Sequence, residues 1–310
     1  MSDDVDTPSP AEPERRPLPV RVLVAAGIVA AIGLLFPLPR AHRAWGLPMD
    51  LAHLGLGAGL TWLVARFAER FGVSRLRAAW TGWVASTLFL GAFEIAQQLT
   101  ARSPGLEDAV ANALGGLATV LVLVLPRRRA LPLAALVLAV GAAPVALAGL
   151  DLYRQGRDLP MLSDLETRLE MLRWGSSEGH VARVPSTDGR SGYEVEGVLP
   201  PGRWPGISLI HPYPDWRGWR ALAFRVHMDQ ADALQVLVVD REHDETYGDR
   251  FNGSYDLPAG WSEVEIPIDA IARGPKTRPL DLERVDGITW FLLGPTQERR
   301  IRLDDVRLVK

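Results

Sequence analysis

EIAQQLTARSPGLEDAVANALGG, residues 94–116, lies between two strongly apolar runs. Polar and charged groups are costly in an apolar surround and mark functional or structural sites when they occur there. Glu94, Gln97, Arg102, Asp108 and Asn112 therefore need a reason, and the reason depends on how the rest of the chain is threaded.

Outward from this stretch the first half of the chain is dominated by Leu, Ala, Val and Gly. Five segments, approximately 20–39, 48–66, 77–97, 107–126 and 130–150, approach the roughly 20 apolar residues that a helix needs to cross a bilayer. A soluble domain rarely holds five such runs in one half. Arg15, Arg16 and Arg21 precede the first; Arg66, Arg70, Arg75 and Arg77 separate the second from the third; Arg127, Arg128 and Arg129 separate the fourth from the fifth. The alternate loops carry only Arg40, Arg43 and Arg102. Ten arginines against three predict a cytoplasmic N-terminus, so five crossings deliver residues 151–310 to the outside. Residues 1–19 are rich in Pro and acids, with little to bury, and are expected to be disordered. The first span, with no small-residue cleavage site behind it, is expected to be an uncleaved anchor.

Composition narrows the partners. The 310 residues are 47% hydrophobic and 23% charged with a net charge of −3, which gives no sign of a nucleic-acid partner. The absence of cysteine excludes disulfides and thiolate chemistry.

With this threading, Asp50 and His53 open the second span on the outer side. Glu94 and Gln97 close the third there, Asp108 and Asn112 open the fourth, and Arg102 lies on the loop between them. Spacings of three or four place each pair on one helix face. A shared polar site near the outer leaflet is one reading. Separate helix-end groups are the other, since Asp50 and Asp108 are favourable near helix N-termini. That second reading does not account for Glu94 near a C-terminus. Gly115 and Gly116, and Gly55 with Gly59 in a GxxxG spacing, are expected to let helices approach closely.

DLAHLGLGAGL (50–60), FEIAQQLTAR (93–102) and DAVANALGG (108–116) resemble the signature segments of VanZ-like membrane proteins: Asp-x-x-His, then Glu-x-x-Gln with a following Arg, then Asp-x-x-x-Asn-x-x-Gly. The resemblance covers about residues 20–126. It implies a bacterial multi-pass protein of the inner (plasma) membrane with a cell-envelope role, in a family associated with glycopeptide resistance, and it brings no settled reaction. The carboxylates, imidazole and guanidinium could perform acid–base work on lipid-linked envelope material, bind a divalent cation, or merely hold the bundle together. No nucleophile motif is present, so whether the chain is an enzyme stays open.

From about 174 the hydrophobic period changes to alternation. Strands are expected at 192–199, 206–212, 220–228, 233–241, 262–268, 288–294 and 299–309, with residues 151–173 as a linker, which makes 174–310 an antiparallel sandwich. PDWRGWRALAFRV (214–226), VVDREHDETYGDRFN (238–252), GWSEVEIPIDAI (260–271) and IRLDDVRLV (301–309) resemble the galactose-binding-like jelly rolls of carbohydrate-binding modules. The resemblance implies glycan recognition by aromatic stacking. Tyr213, Trp216 and Tyr247 are the candidates in polar loops, with Arg250 beside them, and Trp219 is a candidate that leads a strand and could equally be core; Trp204 and Trp261 are further candidates, and Trp290 is expected in the core. His243, Asp244 and Asp249 could hold a metal or simply order their own loop, with Arg250 pairing one of the acids. Asp305, beside Asp304, is the candidate for a structural Ca2+. Two functions lead: an envelope protein with a working membrane site and a glycan-recognising outer domain, or a membrane-anchored carbohydrate-binding module whose bundle is purely structural. A channel or transporter is a third, which five spans without internal repeats do not suggest.

Overall fold

The computed structural model describes residues 43–97, 105–187 and 192–310, apart from the side chains of 43–45 and 97. The expected N-terminal tail, the first span, Arg102 and the Gln97 side chain lie outside the described residues. What is described comprises a helical region followed by an antiparallel β-sandwich.

Four helices come first: α1 (Arg43–Arg70), α2 (Arg75–Gln97), α3 (Leu106–Val124) and α4 (Arg127–Arg157). Gly72 ends the first hairpin with φ +79, a conformation costly for any residue with a Cβ. Pro126 separates α3 from α4, because a proline cannot donate the backbone hydrogen bond that would continue α3. Three of the helices (Gly46–Arg70, Leu106–Val124 and Arg127–Arg157) are long and apolar enough to cross a membrane by length and composition. The 23-residue α2 is long enough, but Trp80, Thr81, Trp83, Ser86 and Thr87 lower its apolarity and it is not among them. Large apolar side chains such as Phe67, Leu88, Ile95, Val110 and Leu136 stand exposed on the outside of the bundle.

Helices α1 and α3 touch through backbone. A Cβ on Gly57 would lie 1.9 Å from the Asn112 carbonyl oxygen, and one on Gly115 would lie 1.9 Å from that of Leu54. Gly116 faces Thr61 and Trp83. Gly55 and Gly59, the expected GxxxG pair, meet nothing within 4 Å, so Gly57 takes the role expected of them. Polar groups then tie the small-residue seam: Thr61 bonds Ser86 at 2.6 Å, Trp83 Nε1 donates to the Ala113 carbonyl at 2.9 Å, and Thr119 donates to that of Ala58 at 3.1 Å.

The sandwich has β1 (Met161–Ser163), β2 (Trp174–Ser176), β3 (His180–Pro185), β4 (Tyr193–Leu199), β5 (Gly206–Ile210), β6 (Ala221–Met228), β7 (Asp232–Asp240), β8 (Phe251–Leu257), β9 (Gly260–Pro267), the short α5 (Ile268–Ala272), β10 (Val285–Phe291) and β11 (Arg299–Val309). One sheet runs β3-β4-β11-β6-β9 with β1 against β11; the other runs β2-β5-β10-β7-β8. From β4 to β11 the chain changes sheet at every step except the β7–β8 hairpin, which is jelly-roll order, and every pair is antiparallel. Alternating residues fill the space between the sheets: Leu234, Val236 and Val238 from β7 meet Leu222, Phe224 and Val226 from β6. At the centre Trp290 stacks on Trp174, ring centroids 5.5 Å apart, with Phe224 edge-on at the same distance.

Two expectations are corrected. The segment 151–173 is no linker: α4 continues to Arg157, β1 pairs with Val306 and Arg307, and the 3-10 turn Arg168–Arg173 packs beneath the sandwich. Strands β3 and β8 went unexpected, since HVARVP shows no alternation in burial, being half-buried between exposed ends, and FNGSYDL carries Asn, Gly, Ser and Asp where apolar alternation would signal a strand. The strand expected at 288–294 begins earlier, at Val285.

Candidate functional site

At the end of the bundle where α1 and α3 begin and α2 ends, three helices converge. His53 of α1 (4% exposed), Glu94 of α2 (5%) and Asn112 of α3 (2%) are buried there, and Asp108 of α3 is partly buried. His53 Nδ1 lies 3.2 Å from Asn112 Nδ2, and His53 Nε2 lies 3.6 Å from Asp108 Oδ1. One ligand-capable atom each from His53, Glu94 and Asp108 lies within 4.8 Å of the others. The close approach at Gly57 and Gly115 allows this, because it brings the His53 turn of α1 and the Asp108–Asn112 turns of α3 within side-chain reach. Asp50, expected on the same face as His53, is exposed instead.

Such a group can accept and donate protons or hold a cation. Polar residues paired across helices also hold a bundle together, typically by about 0.6 kcal/mol each.

The sandwich places its sequence candidates variously. Trp216 is 0% exposed: its ring packs in the core and its Nε1 donates to the Tyr213 carbonyl at 2.7 Å, so no sugar can stack on it. Tyr213 and Trp219 are half-buried against the same core, and Lys310 Nζ lies 4.0 Å from the Trp219 ring. Tyr247 is 63% exposed, with Arg250 and Lys276 near its ring. Trp204 is exposed beside Arg203, and Trp290 is core as expected. The loops of Tyr213 and Tyr247 both pack against segment 274–285, through Val285 N on the Pro214 carbonyl and Lys276 N on that of Gly248. They therefore gather at the end of the sandwich where β11 finishes and α4 enters.

A different surface lies across the six-stranded sheet. Its register sets Glu196, Arg302, His227 and Trp261 in one row over β4, β11, β6 and β9. Arg302 Nε donates to Glu196 at 2.8 Å, His227 meets the edge of Trp261 with centroids 5.4 Å apart, and Arg225 sits 4.7 Å over the Trp261 ring. Asp304, opposite Arg225 in the next row, has its carboxyl pushed up to about 6, chiefly by burial. Sequence reasoning named Trp261 without its neighbours; strand pairing supplies them.

The loop acids serve structure. Arg278, not Arg250, makes the ion pairs, with Asp240 (Nη1–Oδ2, 2.5 Å) and Asp249 (Nε–Oδ1, 2.8 Å). Its hydrogen bond is the main reason that the Asp249 carboxyl falls below the usual range. Arg250 bonds Asn252 instead. His243, Asp244 and Asp249 do lie close enough together to hold an ion, but the Arg278 guanidinium already meets Asp249. Asp305, the calcium candidate, occupies a bulge with φ +59, and its carboxylate meets Arg307 Nη1 at 2.9 Å.

No family model matches this chain, and no curated protein matches it by sequence. The VanZ-like resemblance therefore rests on the three quoted segments alone. Among solved structures the chain is similar to a family 11 carbohydrate-binding module from Clostridium thermocellum in complex with a β-1,3-1,4-mixed-linked tetrasaccharide. The identity is 21%, covering 48% of this chain and 94% of that one, with a TM-score of 0.39. It is similar also to an exo-β-agarase (16%, 48% and 24%, TM-score 0.39) and to a family 30 carbohydrate-binding module of a C. thermocellum cellulosomal cellulase (12%, 44% and 90%, TM-score 0.32). Likeness at this level says nothing about a ligand for this chain.

Proposed function

We propose that this chain is a bacterial membrane-anchored, glycan-recognising protein of the cell envelope, with its N-terminus in the cytoplasm and its sandwich outside. The observation that carries the glycan reading is the row Glu196–Arg302–His227–Trp261 with Arg225 and Asp304 beside it. An indole beside fixed charged donors and acceptors suits a sugar, whose apolar face stacks while its hydroxyls bond. Rigid strands hold these groups, so little ordering entropy opposes binding. The membrane reading is supported by three helices both long and apolar enough to span and by the apolar exterior of the bundle. In this reading the bundle cluster faces the outer leaflet, where lipid-linked envelope precursors would reach it. Tethering the sandwich there raises its effective concentration near such material to roughly millimolar.

The test is binding of full-length protein in detergent to a panel of soluble β-glucans, agaro-oligosaccharides and peptidoglycan fragments. Trp261→Ala should weaken the best ligand about tenfold, on the order of 1.4 kcal/mol, while Tyr247→Ala and Trp204→Ala leave it unchanged. Loss with Tyr247→Ala and not with Trp261→Ala would move the site to the loop end. No binding across the panel would contradict the glycan reading.

A further inference from the structure

The cluster of His53, Glu94 and Asp108 has the donor set and spacing of a metal centre, and Asn112 supplies a separate observation. The Asn112 Oδ1 atom is buried and has no hydrogen-bond partner, while its Nδ2 faces His53 Nδ1. A buried acceptor left unmade costs about 1–3 kcal/mol. The two ends of an amide are nearly indistinguishable by shape. Turning the Asn112 amide over gives Oδ1 a donor, since it then accepts from His53 Nδ1–H across the same 3.2 Å, and places Nδ2 where Oδ1 stood. That fixes the tautomer. The Nε2 lone pair of a neutral His53 then points to Asp108 Oδ1, 3.6 Å away. A lone pair facing a carboxylate oxygen is repulsive unless something positive stands between them.

We infer that His53, Glu94 and Asp108 bind one divalent first-row transition cation of the Zn2+ or Mn2+ class, with Asn112 as a positioning residue. A tetrahedral ion holding N and O ligands at about 2.1 Å keeps them about 3.4 Å apart. The His53–Asp108 separation matches this already, and the 4.8 Å limit on the group needs only a small contraction. One imidazole with two carboxylates favours such an ion over Mg2+ and Ca2+, which prefer all-oxygen ligands. An imidazole oriented by an amide on its other nitrogen is the usual outer-shell arrangement of a metal-bound histidine. Two carboxylate charges and one dication also sum to zero, which suits a site among apolar helices. Asp108, the partly exposed ligand, gives the ion an entrance from the end of the bundle. The inference concerns the bundle alone and stands apart from glycan recognition by the sandwich.

The rival arrangement is a protonated His53 bridging the acids with no metal, and direct measurement separates the two. Full-length protein in detergent is stripped with EDTA, dialysed and titrated with Zn2+, Mn2+, Mg2+ and Ca2+ in parallel. The expected result is one equivalent of Zn2+ or Mn2+ held far more tightly than Mg2+ or Ca2+, lost in His53→Ala and in Glu94→Gln/Asp108→Asn. Asn112→Ala should retain the stoichiometry with affinity roughly 10–100-fold weaker. Helical circular dichroism and a single elution peak check that the variants are folded. If they are not, wild-type protein loaded with Co2+ decides: a visible d–d spectrum of a nitrogen- and oxygen-ligated ion supports the centre. No stoichiometric binding, or Mg2+ binding as tight as Zn2+ and unchanged in His53→Ala, overturns it.

Discussion

At the scale of single residues, burial assigns roles that residue type alone does not. Trp216 and Tyr247 both sit in polar stretches of sequence, yet one is core and the other surface. Asp304 is the clearest electrostatic case. Its carboxyl is raised to about 6, first by desolvation, with Asp305 and Glu194 adding repulsion and Arg225 opposing. Because the folded value lies above the unfolded one, the folded state holds this proton more firmly. The stability this contributes is complete below about pH 4 and is lost as pH rises through about 6. Asp304→Asn should therefore stabilise the protein at pH 7, on the order of 1 kcal/mol, and have no such effect at pH 4. Thermal unfolding of both proteins across that range checks it; a difference independent of pH would contradict the assignment.

At the scale of elements, helices were legible and their contacts were not. Four helical runs follow from apolar length and breaking residues, and each lies within a few residues of its expected bounds, except that α4 runs on to Arg157. The glycines show where legibility stops: GxxxG spacing pointed to Gly55 and Gly59, while the crossing chose Gly57, because only the face shared by Leu54, Gly57 and Thr61 meets α3. A repeat names a face; it does not say which face has a partner. Gly57→Ala should thus destabilise the bundle by about 1–3 kcal/mol and disturb the His53–Asn112 contact, whereas Gly55→Ala should be neutral. Thermal aggregation in detergent compares them, and equal effects would contradict the described crossing. In the sandwich, well-alternating strands such as β6 and β7 were legible, and the half-buried β3 was not, because an edge strand carries no clean period.

At the scale of the whole molecule, the two regions are joined by more than chain. Asp151 of α4 and Arg173 of the sandwich are both buried and pair at 3.1 Å, Gln155 donates to Asp151 at 3.0 Å, and Arg173 donates to the Leu162 carbonyl at 3.0 Å. Sequence reading assigned this stretch to a linker because it is polar; Asp151, Gln155 and Arg173 instead bond one another across the junction. The same long-range logic governs the bundle cluster. Three polar pairs were visible in order along the chain, but only tertiary packing decides that His53, Glu94, Asp108 and Asn112 meet and that Asp50 is exposed. The central claim is that these residues form one site at the outer end of a membrane bundle. Cysteine pairs test it directly, since the chain has none of its own. His53→Cys with Asp108→Cys, in intact cells, is treated with a short membrane-impermeant bis-methanethiosulfonate, whose sulfinate groups leave as each thiol is captured, beside Phe71→Cys with Asp108→Cys as a control at opposite ends of the bundle. The account predicts cross-linking of the first pair from outside and none of the second. Cross-linking only after the cells are opened, or none at all in correctly inserted protein, would contradict it.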